Sequence, residues 1–137
     1  MSPTLIFVNL PVKDLETSRT FFSKLGYTFN AQFSDESTAC LVISDTIYAM
    51  LLEESRFKEF TRKDVADASK TTEVILALGV ESREKVDELA DTALASGGSP
   101  ANEPIDHGFM YGRSFQDPDQ HIWEVMWMDP AAVEPQG

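Results

Sequence analysis

The sequence predicts an α+β fold in which a βαβββ module occurs twice. A segment of β-forming residues precedes an amphipathic helical pattern and three short β-rich segments, and the same order starts again near residue 72. The helix-start residues Asp14 and Ser82 lie 68 positions apart, which gives the spacing of the repeat. A chain of 137 residues buries enough surface to fold as one domain without disulfides.

The first module begins with a strand in LIFVNLPV, residues 5–12, because this segment is rich in β-formers. Asp14 is the predicted N-cap of a helix that ends at Gly26. A further short helix is expected in SRFKEF, residues 55–60. The apolar face of the first helix comprises Leu15, Phe21, Phe22 and Leu25. Three strands are expected between the two helices, in the segments YTFNAQF, STACLVI and TIYAMLL.

The second module repeats this order. A strand is expected in EVILALGV, residues 73–80, followed by a helix that Ser82 caps and that Gly97 and Gly98 terminate. The tripeptide 117–119, Asp-Pro-Asp, predicts a tight turn before the last strand. The inward face of the helix comprises Val86, Leu89, Ala90, Ala93 and Leu94. The remaining strands are expected near Pro104 and Ile105 and in the segments GFMYGRSF and HIWEVMW.

A polar stretch separates the two modules, from about Glu53 to Thr72. The chain is therefore read as one domain, 1–137, with two modules in tandem. The first module covers about 4–60, the linker about 61–71, the second module about 72–128 and a C-terminal tail about 129–137.

Composition excludes several function classes. The formal net charge of −12 repels nucleic acids and anionic membrane surfaces. No apolar run approaches the roughly 18 residues that a membrane-spanning helix needs. The single cysteine, Cys40, has no disulfide partner and lies in an apolar segment, where it is expected to be a core residue. We expect a cytoplasmic protein that binds neither nucleic acid nor membrane.

Three segments resemble the vicinal oxygen chelate superfamily, also called the glyoxalase, bleomycin-resistance and extradiol-dioxygenase group. VNLPVKDLETSRTFFSKLGY is similar to its opening signature, while ALGVESREKVDELADTALASGG and SFQDPDQHIWEV are similar to its second helix and its closing strand. The resemblance implies two βαβββ modules whose sheets curl into an open cup. It also implies a small-molecule ligand in that cup and a homodimer whose second subunit completes or borders it.

The resemblance further implies four positions at which metal-using members hold a divalent ion. The matching residues here are Phe7, Met50, Ile75 and Glu124. Phenylalanine and isoleucine carry no donor atom, and a methionine thioether is too soft for such ions. His107 lies in a polar loop and His121 at the start of the last strand, and neither is expected to replace the lost ligands. We therefore expect no metal cofactor.

Glu124 is the one candidate catalytic residue, because burial in an apolar site raises the pKa of a carboxyl toward the range of a general acid or base. The alternative is a structural ion pair with Arg113 or a bond to a backbone amide. Tyr111 and Arg113 alternate together on one strand and either hold a ligand carboxylate or lie on the outer surface. The predicted ligand-binding residues are Phe7, Asn9, Tyr48, Met50, Ile75, Tyr111, Arg113 and Glu124.

The function that these residues predict is binding of a small organic molecule without a metal, as in the bleomycin-resistance branch. The alternative is a metal-dependent enzyme similar to lactoylglutathione lyase or to an extradiol dioxygenase. Gln120 stands in the last turn where relatives often carry glycine. If the turn requires positive φ there, the side chain costs of order 1 kcal/mol.

Overall fold

The computed structural model describes residues 3–132, so the tail predicted at 129–137 lies outside the described residues from position 133 onward. The chain divides into two compact units between Asp67 and Ala68. This boundary falls inside the segment that the sequence predicts as a linker. No helix within 3–132 is long and apolar enough to cross a bilayer.

The first unit contains a four-stranded sheet in the order β1-β4-β3-β2. The first strand runs parallel to the fourth, and the other neighbours are antiparallel. The helix α1 lies against β3 and β4. The elements are β1 (Ile6–Val12), α1 (Leu15–Lys24), β2 (Thr28–Phe29), β3 (Thr38–Val42), β4 (Ile47–Glu53) and α2 (Glu54–Phe57), with 3-10 turns at Ala31–Phe33 and Lys58–Phe60.

The second unit repeats the arrangement, with a sheet in the order β5-β9-β8-β6 and a further short strand, β7, paired to β8. Its helix α3 lies against β8 and β9. It begins at Arg83, 68 positions after α1 begins at Leu15, so the repeat spacing expected from the sequence is confirmed. The elements are β5 (Ile75–Gly79), α3 (Arg83–Ala95), β6 (Ser99–Pro100), β7 (Ile105–Asp106), β8 (Met110–Gln116) and β9 (Ile122–Met128), with a 3-10 turn at Pro130–Ala132.

Both predicted N-caps are present. The Asp14 carboxylate accepts a hydrogen bond from the Glu16 amide at 3.1 Å, and the Ser82 hydroxyl accepts one from the Lys85 amide at 3.1 Å. In each unit the hydrophobic core lies between the helix and the sheet face that packs against it. The buried apolar residues include Leu10, Phe21, Phe22 and Leu51 in the first unit, and Val86, Leu89, Phe115, Trp123 and Val125 in the second.

Two local predictions are wrong. The strand expected in YTFNAQF ends at Phe29, because the Asn30 side chain accepts a hydrogen bond from the Gln32 amide at 2.9 Å and starts a 3-10 turn. Leu94 is exposed rather than buried, because it lies about 100° around the helix from Ala93, at the margin of the buried face.

Gln120 has a φ of +69°. The turn therefore requires the positive φ for which the sequence predicts a strained side chain. A side chain in the left-handed region is strained, whereas glycine adopts this conformation freely. We expect Gln120→Gly to raise the free energy of unfolding by roughly 0.5–1 kcal/mol, after allowing for the more flexible unfolded chain. Urea denaturation measures this change. Gln120→Ala keeps the strain and is the control; an equal gain from alanine would contradict the explanation.

Candidate functional site

The two faces of the second sheet differ in what covers them. Because strand residues alternate, Trp123 and Val125 of β9 point toward α3 and are buried, while Glu124 points to the other side. Across the ladder, Ser114 lies opposite Glu124 and Gly112 opposite Met126. We call this side the Glu124 face; on β5 it continues through Ala77, which is the register partner of Glu124.

A pocket of about 160 Å³ opens on the Glu124 face. Its floor comes from β8 and β9, and its wall comes from the chain between β6 and β7 and from the start of β7. We call it the Glu124 pocket. The residues that line it are Asn102, Glu103, Ile105, Gly112, Arg113, Ser114, Glu124 and Met126.

The Glu124 side chain is half-buried in this pocket. Within residues 3–132 its carboxylate makes no hydrogen bond and no ion pair. The structural ion pair with Arg113 that the sequence left open is therefore not formed. A half-buried carboxylate without a protein partner has lost part of its hydration with nothing in exchange, which leaves it able to bind a ligand group.

Ser114, on strand β8 of the pocket floor, is hydrogen-bonded to the backbone of Asn102 in the pocket wall. Its hydroxyl oxygen accepts a hydrogen bond from the Asn102 amide at 2.8 Å and donates one to the Asn102 carbonyl oxygen at 3.3 Å. Ser114 is buried on the Glu124 face, directly opposite Glu124 in the ladder. The serine thus holds residue 102 in place beside the carboxylate.

Tyr111 and Arg113 lie on the opposite side of the sheet, toward α3. The Tyr111 hydroxyl donates to Asp87 Oδ1 at 2.6 Å, and the Arg113 guanidinium donates to Asp87 and Asp91 at 3.1 and 2.8 Å. The hydrogen bond from Tyr111 lowers the pKa of Asp87 below its usual range, and the hydrogen bond and charge of Arg113 lower it further. The side chains of these two residues therefore point toward α3, away from Glu124, and are half-buried there, although Arg113 also contributes to the lining of the Glu124 pocket.

The first sheet carries an aromatic pair on the face away from α1. Phe7 and Tyr48 are register partners on β1 and β4, and their rings stack with centroids 4.9 Å apart and planes at 12°. The next pair on this face is Asn9 and Met50. The Asn9 amide donates to the Phe7 carbonyl oxygen at 3.3 Å, and Cys40, also opposite Met50, is buried as expected.

Sequence reasoning missed a buried polar cluster around Asp117. This carboxylate accepts hydrogen bonds from the Asp119 and His121 amides at 2.9 and 3.0 Å and from Trp123 Nε1 at 3.0 Å. His121 is buried, and its Nδ1 lies 3.0 Å from a Glu73 carboxylate oxygen. Burial raises the pKa of Asp117, and the charge of His121 opposes that rise. His107 is exposed in the loop before β8.

Comparison with known proteins agrees with this architecture. Residues 4–44 match the family model of the bleomycin resistance protein-like N-terminal region. A hypothetical protein of S. aureus is 28% identical, with a TM-score of 0.77 over 93% of this chain and 94% of its own. A glyoxalase/bleomycin resistance protein/dioxygenase family enzyme of Burkholderia phytofirmans is 16% identical, with a TM-score of 0.75 over 92% and 99%.

The fosfomycin resistance protein FosX of Listeria monocytogenes has a TM-score of 0.66 at 21% identity, over 99% of this chain and 97% of its own. No curated protein matches the sequence. The chain shares the fold of these glyoxalase/bleomycin resistance and fosfomycin resistance proteins. The shared fold directs attention to the positions at which metal-using members of the superfamily that the sequence resembles hold their ion.

Those positions do not suit a divalent ion here. Phe7 and Met50 stand at the two positions in the first unit, and Ile75 and Glu124 stand at the two in the second. Only Glu124 offers an oxygen ligand, and a single carboxylate falls short of the three or more protein ligands usual for such sites. Within residues 3–132 no cluster of three or more His, Cys, Asp or Glu side chains is arranged to hold a metal.

Proposed function

We propose that this protein binds a small, positively charged organic molecule in the Glu124 pocket, without a resident metal ion. The observation that carries the proposal is the half-buried Glu124 carboxylate, which has no partner among residues 3–132. An ammonium or amidinium group on a ligand would give the Glu124 carboxylate the hydrogen-bond donors and the positive charge that residues 3–132 do not provide. Charge-assisted hydrogen bonds of this kind are about twice as strong as neutral ones.

The rest of the pocket supports a ligand with a compact apolar body. Ile105 on the wall and Met126 on the floor present hydrocarbon next to the carboxylate. Ligand sites of this composition bind mainly by apolar burial and use a few polar groups for orientation. The net charge of −12 adds long-range attraction for a cation.

Benzylammonium and benzyl alcohol are a matched pair of probes, since they have the same size and differ in charge. We expect benzylammonium to bind more tightly, and we expect Glu124→Gln to weaken its binding roughly 10- to 100-fold while leaving benzyl alcohol unaffected. Protein-observed NMR titration gives both dissociation constants.

Glu124→Gln should also leave the free energy of unfolding within about 0.5 kcal/mol of the parent, because the carboxylate makes no bond to the protein. Glu88→Gln, on the exposed side of α3, is the matched control for loss of one negative charge. Equal weakening of benzylammonium by both variants would show that only overall charge matters and would refute the site.

The same purified protein also tests the alternative function, that of a metal-dependent enzyme. Elemental analysis of the purified protein and turnover of the methylglyoxal–glutathione adduct would together reveal a lyase similar to lactoylglutathione lyase. Stoichiometric metal accompanied by turnover would overturn the proposal. A metal-free preparation that binds benzylammonium through Glu124 would support it.

We further propose that the protein is a cytoplasmic homodimer. The strand β1 is an edge strand, and no described strand pairs with its outer side. Its N-terminal part is apolar and exposed, with Ile6 at 52%, and Leu5, Phe7 and Ile47 beside it are exposed as well. Exposed apolar edges of this length are normally covered by a partner. The single buried cysteine, Cys40, fits a reducing compartment.

Sedimentation velocity tests the dimer. We expect the parent protein to sediment with twice the chain mass and Ile6→Lys to shift it toward monomer, because a lysine on an edge strand opposes strand pairing. Lys58→Glu, on the exposed 3-10 turn after α2, is the control for an altered surface charge. A monomeric parent protein would refute this part of the proposal.

A further inference from the structure

The wall of the Glu124 pocket is an edge segment with few backbone bonds. We define the edge segment as residues 99–108, which run along the outer side of β8. Only two residues pair at β6 and two at β7, and the chain between these strands pairs with nothing in the ladder. Such a segment opens locally far more readily than a continuous strand.

Two adjacent residues of the edge segment face opposite sides of the sheet. Ile105 is the register partner of Gly112 and lines the Glu124 pocket, whereas Asp106 is the partner of Tyr111 and faces α3. Whatever holds Asp106 therefore also determines where Ile105 lies.

Arg83, the first residue of α3, holds Asp106. Its two terminal nitrogens lie 2.5 Å from Asp106 Oδ2 and 3.3 Å from Oδ1, so the carboxylate is bound by both arms of the guanidinium. One arm also reaches the Gly108 carbonyl oxygen at 3.5 Å. The guanidinium carbon lies 4.4 Å from the centre of the Tyr111 ring and 5.7 Å from that of Trp127.

We propose that Arg83 is a positioning residue for the Glu124 pocket, which acts from the other side of the sheet by fixing Asp106 and with it the wall that carries Ile105. The proposal rests on the proposed function for its effect on binding. Its effect on the edge segment itself does not depend on any ligand.

The energetics favour a local effect over a global one. Both side chains of the ion pair are partly exposed, at 38% and 48%, and exposed pairs contribute little to overall stability. A positive charge in the first turn of a helix is also unfavourable, so removing it does not weaken α3. Loss of Arg83 should therefore loosen the edge segment without unfolding the unit.

Hydrogen exchange measured by mass spectrometry tests this prediction on the full chain. In Arg83→Gln, amides of the edge segment should exchange roughly 2–5-fold faster, while those of α3 and β9 stay unchanged. Arg56→Gln is the matched control, because Arg56 also combines an exposed ion pair, to Glu59, with an aromatic contact, to Phe60, in the other unit. Unchanged exchange in the edge segment, or an equal rise throughout the second unit, would overturn the proposal.

Binding separates this role from that of Glu124. Arg83→Gln should weaken benzylammonium and benzyl alcohol alike, because it disturbs the wall, whereas Glu124→Gln affects the cation alone. Asp106→Asn should reproduce the effect, and the double variant should be no worse than either single one. If Arg83→Gln speeds hydrogen exchange in the edge segment but leaves the affinity for both probes unchanged, Arg83 holds the edge segment without shaping the pocket. This outcome would refute the positioning role. If the parent protein binds neither probe, the proposed function fails while the exchange result still decides whether Arg83 holds the wall.

Discussion

Replacing Asp117 with alanine is expected to lower the free energy of unfolding by about 3–5 kcal/mol. The carboxylate is only 3% exposed and accepts hydrogen bonds from two backbone amides and from the indole of Trp123. Alanine removes the acceptor that these three donors share, two of which are buried, and it also removes an anion next to His121. Urea denaturation followed by circular dichroism measures the change.

Asp91→Ala provides the comparison for Asp117. Asp91 also accepts a hydrogen bond, from Arg113, but its side chain is 68% exposed, so water replaces the lost partner. We expect a change below about 1 kcal/mol for this variant. Similar losses at both positions would mean that the buried cluster contributes no more than a surface ion pair.

Replacing Gly112 with valine is expected to weaken benzylammonium binding at least about tenfold, because the new side chain enters the Glu124 pocket. A Cβ at this position would lie 3.3 Å from Met126 Cγ and 3.6 Å from Met126 Cε, both in a flexible side chain that is able to shift. Valine suits a strand, so the fold should persist. The NMR titration used for Glu124→Gln gives the affinity, and thermal denaturation shows whether the variant is folded.

Gly79→Val is the matched control for Gly112→Val. Gly79 lies on β5, opposite Met126 in the ladder, and a Cβ there would meet no atom within 4 Å. We expect this variant to bind benzylammonium as the parent does. A folded Gly112→Val protein with unchanged affinity would show that the cation binds elsewhere.

The sequence is sufficient to predict the two longer helices, α1 and α3, and their caps, because these depend on local signals such as Asp14, Ser82 and the glycines that follow each of the two. It also identifies which residues of a single strand share a face, as Ile122, Glu124 and Met126 do. These features depend on spacing within one element, which can be read directly from the chain.

Relations between elements are harder to predict. Whether Arg113 shares a face with Glu124 depends on the register of β8 against β9, and that register is set by the turn that contains Gln120. The carboxylates of Asp87 and Asp91 that bind Arg113 come from α3, more than twenty positions earlier. The same holds for Arg83 and Asp106, whose ion pair joins a helix to a two-residue strand too short to leave a pattern in the sequence.

The duplication has a consequence for how many ligands the chain takes up. The repeats are alike in backbone, yet Met50 in one copy occupies the place that Glu124 holds in the other. At this pair of equivalent positions, a carboxylate is therefore present only in the second unit. The proposed function therefore predicts saturation at one equivalent of a cationic ligand per chain rather than two.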